Sequence, residues 1–426
     1  MFEIQGTVTT AVCYAQTVEE GAIEQIRRMC SYALTADSRV RIMPDVHAGK
    51  GCTVGTTMTV TDKVCPNIVG VDIGCGMYTV RLAEREIDLP TLDAAAHFIP
   101  SGMRVWDGRK EHFDLTGLRC YRALRDSRRL ERSLGTLGGG NHFIEVGRAS
   151  DGTLYLVIHS GSRNLGKQVA EIYQQLAVDL HMGKEDYFKA RDEIIRTYKA
   201  AGRRAEIEGA LRTLKRNFVT HALLVPADLC WLYGSFMADY LHDVEICQRF
   251  ARRNREKMAE ILLAHTGTTA VEAFHTVHNY IDTGEMILRK GAVAAHAGER
   301  LLIPINMRDG SILAVGRGNP EWNFSAPHGA GRVMSRARAK ETLDMDAYRA
   351  AMAGIYTTSV TAETLDEAPM AYKSLAEIED AVRDAVEVVD ILKPVYNFKA
   401  SDDTPPWVKK TEKEGDKDAS GDSDGT

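Results

Sequence analysis

The sequence predicts an α+β fold, in which helices and strands are mixed along the chain. Short apolar runs bounded by glycine or polar residues are typical of buried strands, as in Leu154–Ile158. Amphipathic and heavily charged stretches are typical of helices with one solvated face, as in residues 165–215. The chain has 426 residues, of which 44% are hydrophobic and 26% charged. These values are ordinary for a globular protein, and the length suits one large domain or two.

The predicted helices rest on periodicity and charge. Val18, Ile23 and Ile26 fall on one face of the first predicted helix. A long predicted helix, residues 227–263, directs aromatic residues and methionines towards a core and arginines towards solvent. Within this helix, Asn254 and Arg255 are candidates for lining a groove. The predicted helices cover residues 18–34, 90–133, 165–215, 227–263, 333–340 and 375–392.

The predicted strands are short and apolar, and most adjoin a glycine-rich loop. Beyond one such loop, the alternation of side chains puts Asn141, Phe143 and Glu145 on one face of a strand and His142 on the other. The predicted strands begin at Val40 and Asn141 and otherwise cover residues 54–60, 67–71, 154–159, 274–281 and 393–399, and residues 287–311 are expected to form short strands with tight turns.

Two features of the sequence limit the class of protein to which the chain can belong. No run of about 18 apolar residues is present, and the N-terminus lacks the basic-then-apolar order of a signal peptide. We therefore expect a cytoplasmic protein with no membrane partner. The eight cysteines contain no CxxC pair and no regular spacing, which argues against a zinc ribbon or a disulfide framework. Most of them are expected to be buried small hydrophobic residues.

The net charge of −6 is unevenly distributed. Residues 401–426 contain eight acidic residues and four lysines, a net charge of −4, so residues 1–400 carry −2. This acidic tail has few apolar residues and is expected to be disordered. Basic clusters remain at residues 122–132, 249–257 and 332–340. The net charge therefore does not exclude a nucleic-acid partner.

The segment Ser325–Arg332 holds a histidine, His328, between a proline and two glycines, with an arginine after them. Glycine lets backbone amides approach a ligand, and a neighbouring arginine suits an oxyanion such as phosphate. His328 could be a base, a metal ligand or a nucleophile. By itself the pattern fits a glycine-rich surface turn equally well. A second loop, after the strand at Val40, carries Asp45, His47 and Lys50, and such a concentration indicates a site.

Four further motifs place potential metal ligands beside apolar runs. The turn from Asp72 to Cys75 could direct a carboxylate and a thiolate at one cation, although its spacing alone favours a buried cysteine and a capping aspartate. His142, His159 and His278 occupy comparable positions. Together these five side chains could hold two divalent cations with the thiolate as a bridge. From ligand types alone zinc is the first expectation, and manganese or iron the next.

Cationic side chains near these motifs add phosphate-binding capacity. They are Arg163, Lys290, Arg332 and Arg336. The combination implies metal-assisted chemistry on phosphates, with His328 as a nucleophile rather than a ligand.

Five motifs, taken together and in order, resemble the signature set of the RtcB family of RNA ligases. They are NIVGVDIGCGM, GTLGGGNHFIEV, IHSGSRNLG, the VHN of residues 277–279, and PHGAGRVMSR. The resemblance covers roughly residues 1–400. It implies one large catalytic domain over that range, with central β-sheets and surrounding helices.

The resemblance also implies an activity. Family members join RNA that bears a 3′-phosphate or 2′,3′-cyclic phosphate, such as tRNA halves or cleaved RNA, to RNA with a 5′-hydroxyl end, using GTP and two Mn²⁺ ions. Carried over position by position, Asp72, Cys75, His142, His159 and His278 would bind manganese, and His328 would carry GMP. Arg163, Lys290, Arg332 and Arg336 would hold RNA or triphosphate oxygens. The guanylate would be bound by Asn141, Glu145, Asn279, Pro304, Ile305, Asn306, Met307, Ser311, Gly329, Ala330, Gly331 and Lys399. No activating protein is identified.

The chain departs from the family pattern in three places, and the first of them, the loop at residues 304–308, keeps two alternatives open. Pro304–Arg308 is bulkier than the usual Pro-Gly-Ser-Met-Gly, Pro327 replaces a cysteine or serine, and the chain continues past Lys399 instead of ending in Lys-Gly. Arg308 could contact phosphate or crowd the guanine edge. The alternatives are a metal-dependent RNA end-processing phosphohydrolase and a non-catalytic nucleotide- or RNA-binding protein of the same fold.

Overall fold

The computed structural model describes residues 1–399, so the predicted disorder of the acidic tail lies outside the described residues. The strands are β1 Phe2–Gln5, β2 Thr10–Cys13, β3 Val40–His47, β4 Val54–Thr59, β5 Lys63–Val64, β6 Gly76–Leu82, β7 Phe143–Arg148, β8 Leu154–Ser160, β9 Leu232–Tyr233, β10 Ala270–Val277, β11 Asn279–Asp282, β12 Ile287–Lys290, β13 Ala292–Ala294, β14 Arg300–Asn306, β15 Gly310–Gly316, β16 Ser325–Pro327 and β17 Val386–Lys399. The α-helices are α1 Glu20–Met29, α2 Pro66–Val69, α3 Leu89–Phe98, α4 Ser127–Arg132, α5 Arg163–His181, α6 Glu185–Ala200, α7 Ile207–Asn217, α8 Gly234–Thr266, α9 Arg336–Thr342, α10 Met345–Ala351 and α11 Leu375–Ala381. This mixture confirms the α+β prediction.

Two large sheets hold most of the strands. One has six strands in the order β1-β2-β3-β4-β12-β11, and the other has seven in the order β10-β6-β8-β7-β17-β15-β14. In the second sheet β10, β6, β8 and β7 pair as antiparallel neighbours. Antiparallel neighbours alternate in direction, so the start of one strand lies beside the end of the next. This alternation positions the candidate site.

Helix α8 packs across the seven-stranded sheet, against β6 and β8. Its apolar face contributes Met258 and Leu262 to a buried cluster with Leu156 and Ile158 of the sheet. Burial of such side chains supplies the main favourable term in folding. Helix α8 therefore supports the strands β6 and β8 from one face of the sheet.

Three predictions of secondary structure are wrong. Residues 67–71 are not a strand but lie mostly in α2, which begins with Pro66 in the first turn and stops at Gly70, whose φ is 99°. Residues 90–133 are helical only in α3, in a short 3-10 helix at Tyr121–Ala123 and in α4, because Pro100 and several glycines interrupt the segment. Residues 386–392 are not helical but belong to β17, where β-branched residues pair with β15.

The predicted long helix is confirmed as α8, but the expectation for two of its residues is wrong. Asn254 and Arg255 do not line a groove; both are fully buried. They face the sheet on the same side of the helix as Ala251 and Met258. Their contacts lie beneath the candidate site.

The eight cysteines agree with the prediction of buried, unpaired thiols. All are free, and all except Cys120 are buried. Among residues 1–399, no helix has the length and apolar character to cross a membrane.

Candidate metal and nucleotide-binding site

The five predicted metal ligands meet at one end of the seven-stranded sheet. Cys75 immediately precedes β6, His142 precedes β7, His159 is the penultimate residue of β8, and His278 directly follows β10. Because these four strands alternate in direction, the two starts and two ends lie side by side. Segments more than 200 residues apart in the chain thus supply one cluster.

The ligand atoms form two groups that share one thiol. Cys75 Sγ lies 3.4 Å from Nε2 of both His142 and His159. His142 Nε2 lies 3.1 Å from Asp72 Oδ2, and His159 Nε2 lies 2.9 Å from His278 Nε2. Asp72, Cys75 and His142 therefore make one group, and Cys75, His159 and His278 make the other. We call these five side chains the metal cluster.

The histidine rings are oriented so that Nε2 faces the cluster. Nδ1 of His142 donates to the carbonyl of Leu137 at 2.8 Å, and Nδ1 of His159 donates to the carbonyl of Asn141 at 3.2 Å. A hydrogen bond of this kind fixes the tautomer that leaves Nε2 free to bind a metal. Burial holds the pKa of both His159 and His278 well below the usual value. Neutral rings are the form that metals bind.

The acidic members of the cluster also suit a cation. Burial opposes ionisation of Asp72, but the close contact with His142 and the charge of Arg163 outweigh it and lower the pKa of the carboxyl. Burial and the neighbouring Asp72 raise the pKa of the Cys75 thiol. Gly161 packs directly against the Asp72 carboxylate, where a Cβ would overlap it. A thiol, a carboxylate and three imidazoles fit two divalent cations of the zinc and manganese class.

His328 lies beside the metal cluster and is held by a residue that the sequence placed in another loop. Its ring centroid is 4.8 Å from that of His278. The Nδ1 atom lies 2.6 Å from Oδ2 of the buried Asp45, which also accepts hydrogen bonds from the amides of His328 and Gly329. Gly331, with a φ of 72°, packs against the Asp45 backbone, where a side chain would not fit. This arrangement leaves His328 Nε2 as the free nitrogen.

One cavity beside His328 matches the predicted nucleotide pocket. It encloses about 780 Å³, including its open mouth. Ten of the twelve residues predicted to bind the nucleotide line it: Asn141, Glu145, Pro304, Ile305, Asn306, Met307, Gly329, Ala330, Gly331 and Lys399. Asn279 and Ser311 do not line this pocket. Asn141, Phe143 and Glu145 all line it, as their predicted common strand face requires.

The same pocket contains residues that sequence reasoning missed. Glu367 is 3% exposed and accepts hydrogen bonds from Lys399 Nζ at 2.6 Å and from the Tyr372 hydroxyl at 2.8 Å. It also pairs with Arg336. Asn397 donates to Glu145 at 2.7 Å. Nothing in the local sequence around Glu367 or Tyr372 indicates a site, because their partners come from distant segments.

A second cavity, of about 730 Å³, is also lined by His328. Its polar lining includes Asp72 and His278 of the metal cluster together with Asn67, Asn279 and Lys290. His47 and His328 line both cavities, and Lys50 lines the second. Asp45, His47 and Lys50 thus lie at the site, but the prediction that all three are in a loop is wrong, because Asp45 and His47 belong to β3.

The four cations predicted to bind phosphate have different surroundings. Arg332 and Arg336 line the nucleotide pocket, and Lys290 lines the second cavity, where its Nζ donates to the carbonyl of Asn67 at 3.1 Å. Arg163 lines neither cavity. Its guanidinium donates to Thr136 Oγ1 at 3.0 Å and to the carbonyl of Gly102 at 2.6 Å.

Two of the unusual residues are oriented away from the nucleotide pocket. Arg308 makes a two-point ion pair with Asp309, at 2.8 and 2.9 Å, and does not line the pocket. Pro327 is buried in β16, paired with Ala292 of β13. In this structure neither residue narrows the space beside His328.

Comparisons with known proteins place the chain among related sequences. The family model described as tRNA-splicing ligase RtcB matches residues 25–125 and 109–400. The chain is similar to the RNA-splicing ligase RtcB of Escherichia coli (strain K12), with 31% identity over 401 residues, covering 84% of this chain and 90% of the relative. The tRNA-splicing ligase RtcB of Aeropyrum pernix is 27% identical over 430 residues, covering 79% and 82%. The RNA-splicing ligase RtcB of Mycobacterium tuberculosis is 28% identical over 434 residues, covering 80% and 91%.

Proposed function

Because the chain belongs to the RtcB family, we propose that it is a GTP- and Mn²⁺-dependent RNA ligase. It joins RNA 3′-phosphate or 2′,3′-cyclic phosphate ends, such as those of tRNA halves or cleaved RNA, to 5′-hydroxyl ends. One observation carries the proposal: His328 lines both cavities and is held through Nδ1 by Asp45. A nucleophile in that position can accept a guanylyl group in one cavity and pass it to a phosphate in the other.

The metal cluster would hold the two Mn²⁺ ions. Asp72, Cys75 and His142 would bind one, and Cys75, His159 and His278 the other, with the shared thiolate as a bridge. When bound, divalent ions stabilise the negative charge that develops on phosphate oxygens during transfer. The donor set would also suit zinc or iron, so the identity of the metal is part of the proposal.

The covalent steps use His328 as the carrier of GMP. His328 Nε2 attacks the α-phosphorus of GTP, a P–N bond forms, and the bond to pyrophosphate breaks. An oxygen of the RNA 3′-phosphate then attacks the same phosphorus, which frees Nε2 and leaves GMP on the RNA end. The 5′-hydroxyl attacks the RNA phosphate, forms the phosphodiester and expels GMP. A 2′,3′-cyclic end must first be opened by water to a 3′-phosphate. Each activation replaces a poor leaving group with a good one.

Asp45 has a definite part in the first step. By accepting from Nδ1 it keeps the proton on that nitrogen and the lone pair on Nε2. We expect Asp45→Asn to slow formation of the GMP–protein adduct by roughly 10²–10⁴-fold, because the amide can stabilise the wrong tautomer and cannot balance the positive charge on the ring. Quenched-flow labelling with α-labelled GTP measures the rate. Asp62→Asn, at an exposed site beside Lys63, is the matched control. An adduct rate equal to that of the wild type would contradict this role.

Glu145 and Lys399, which line the pocket from the neighbouring strands β7 and β17, would recognise the guanine edge. Burial raises the pKa of Glu145 to about 7, against the opposing effects of Asn397 and Lys399. Only the ionised carboxylate accepts from both guanine donors, so GTP affinity should rise as the pH rises through 7. Below that value the Kd should increase by about tenfold per pH unit, the slope of a single titrating group.

Calorimetric titration of GTP between pH 6 and 8 tests this expectation. Glu145→Gln has no titrating carboxyl, so its affinity should be weak and independent of pH across the same range. A wild-type Kd for GTP that does not change between pH 6 and 8 would show that the ionised carboxylate of Glu145 does not recognise the guanine base.

The proposed function is tested by RNA joining. The purified protein is incubated with one RNA that ends in a 3′-phosphate, a second that begins with a 5′-hydroxyl, and Mn²⁺, with GTP or ATP. We expect a joined product with GTP. Joining with ATP alone would place the base preference in doubt and implicate residues 304–308. Trimming of the 3′ end without joining would support the phosphohydrolase, and binding without any change of ends would support a non-catalytic protein.

A further inference from the structure

Two adjacent residues of α8 connect the segments that carry the metal ligands. Asn254 and Arg255 are fully buried, although the sequence around them is strongly charged. Neither touches the ligand atoms by a hydrogen bond in the structure. Their partners are the main chain and one hydroxyl of the neighbouring loops.

The side-chain amide of Asn254 forms hydrogen bonds both as an acceptor and as a donor. Its Oδ1 accepts from the amides of Gly135 and Thr136, at 2.7 and 3.0 Å, in the loop that leads to His142. Its Nδ2 donates to the carbonyl of Thr136, to Ser160 Oγ and to the carbonyl of Gly161, all at 3.1 Å. The last two contacts lie just after His159. One side chain thus ties the approach to His142 to the exit from His159.

Arg255 makes the corresponding link to the turn of Cys75. Its Nη1 donates to the carbonyls of Gly74 and Ser160, both at 2.7 Å. Gly74 precedes Cys75 and Ser160 follows His159 in the chain. The guanidinium therefore fixes the spacing of two ligands that belong to the same group of the metal cluster.

Global stability does not account for Arg255. Its Nε and Nη2 have no hydrogen-bond partner among residues 1–399. A buried cation with unsatisfied donors is costly, and an apolar side chain of similar volume is often as stable or more so. Burial lowers the pKa of Arg255 to about 10, and the electrostatic interactions that oppose this effect come from Cys75, Asp72 and Glu256. Two of these three residues, Cys75 and Asp72, belong to the metal cluster.

We propose that Asn254 and Arg255 are positioning residues for the metal centre, which set the distances among the segments that carry Asp72, Cys75, His142 and His159. The inference rests on the proposed two-metal function and deepens it. Supporting partners of metal ligands typically contribute 10–100-fold to metal affinity, because free ligands must otherwise be ordered as the metal binds.

The test compares Arg255→Met, Arg255→Lys and Asn254→Asp with the wild type. Arg252→Met is the matched control, since Arg252 is on the same helix and its side chain is 66% exposed. Calorimetry gives the Kd for Mn²⁺, and the thiolate-to-metal absorption band of the Co²⁺ form reports the ligand geometry. Thermal unfolding without metal reports the fold separately.

We expect Arg255→Met and Asn254→Asp to bind Mn²⁺ about 10–100-fold more weakly, with an altered Co²⁺ band. Arg255→Lys should recover part of the affinity, because an ammonium can still reach one carbonyl. Arg252→Met should match the wild type. If Arg255→Met fails to fold, Arg255→Lys decides: weakened binding with an intact fold supports the proposal.

Wild-type affinity and an unchanged Co²⁺ band in Arg255→Lys and Asn254→Asp, with or without lower melting temperatures, would overturn the proposal and leave the two residues with a structural role only. A wild-type protein that binds no metal would instead defeat the proposed metal centre. A wild-type protein that binds metal but does not join RNA would defeat the proposed reaction and leave the positioning role intact.

Discussion

Replacement of His328 by alanine should abolish the covalent GMP adduct while leaving metal binding intact. The expected result follows from the position of the ring. His328 lines both cavities, but the two ligand groups are complete without it. Loss of a covalent nucleophile removes the intermediate itself, so the adduct should fall below detection rather than by a modest factor. Incubation with α-labelled GTP and Mn²⁺, followed by denaturing gels, measures an acid-labile label on the wild type and none on His328→Ala.

The control for this experiment is His265→Ala, which removes an exposed histidine from the end of α8. It should label like the wild type. Calorimetry on His328→Ala should give the wild-type stoichiometry and Kd for Mn²⁺. A variant that still labels would exclude His328 as the nucleophile, and a variant that loses metal would make His328 a ligand instead.

Replacement of Cys75 by alanine should remove both the metal and the label. Cys75 is the one residue common to the two ligand groups, and its Sγ lies 3.4 Å from Nε2 of both His142 and His159. Loss of a bridging thiolate weakens both metal positions at once. We therefore expect the Mn²⁺ affinity to fall by more than the roughly 10–100-fold that follows loss of a supporting partner. The adduct should disappear with the metal.

Elemental analysis of metal per protein chain, together with the labelling assay, measures this result. Cys120→Ala is the matched control, because Cys120 is a free cysteine outside the metal cluster. It should keep two ions and full label. Retention of two tightly bound ions by Cys75→Ala would refute the bridging role, and loss of one ion with retention of the other would limit the thiolate to a single position.

The site residues that could be predicted from sequence share one property. Each lies in a short segment whose chemistry is visible locally, such as the turn from Asp72 to Cys75 or the histidine after a glycine-rich loop. Glycines next to a potential ligand signal a close approach of backbone, and the structure shows that approach at Gly161 and Gly331. The alternation along β7 likewise predicted that Asn141, Phe143 and Glu145 share a face, and all three line the nucleotide pocket.

The helix and strand errors have local causes of another kind. Residues 386–392 follow a helix without a strong break, and the β-branched residues there become a strand because β15 offers a partner. Strand pairing is a tertiary contact, so local propensity is a weak guide to it. The same limit applies to residues 67–71, where an apolar run predicts a strand and the structure has α2 over most of the run.

The sequence by itself determined the family resemblance, the α+β class, the five candidate metal ligands that the structure groups around Cys75, and the candidate nucleophile. Only the tertiary structure revealed the partners that hold the candidate site residues: Asp45 for His328, Glu367 for Lys399, and the buried pair Asn254 and Arg255 beneath three segments with candidate ligands. The physical reason is one of range. A ligand or a nucleophile is recognisable by its own chemistry and that of its immediate neighbours, whereas an orienting partner is defined by a hydrogen bond between segments that the fold alone brings together.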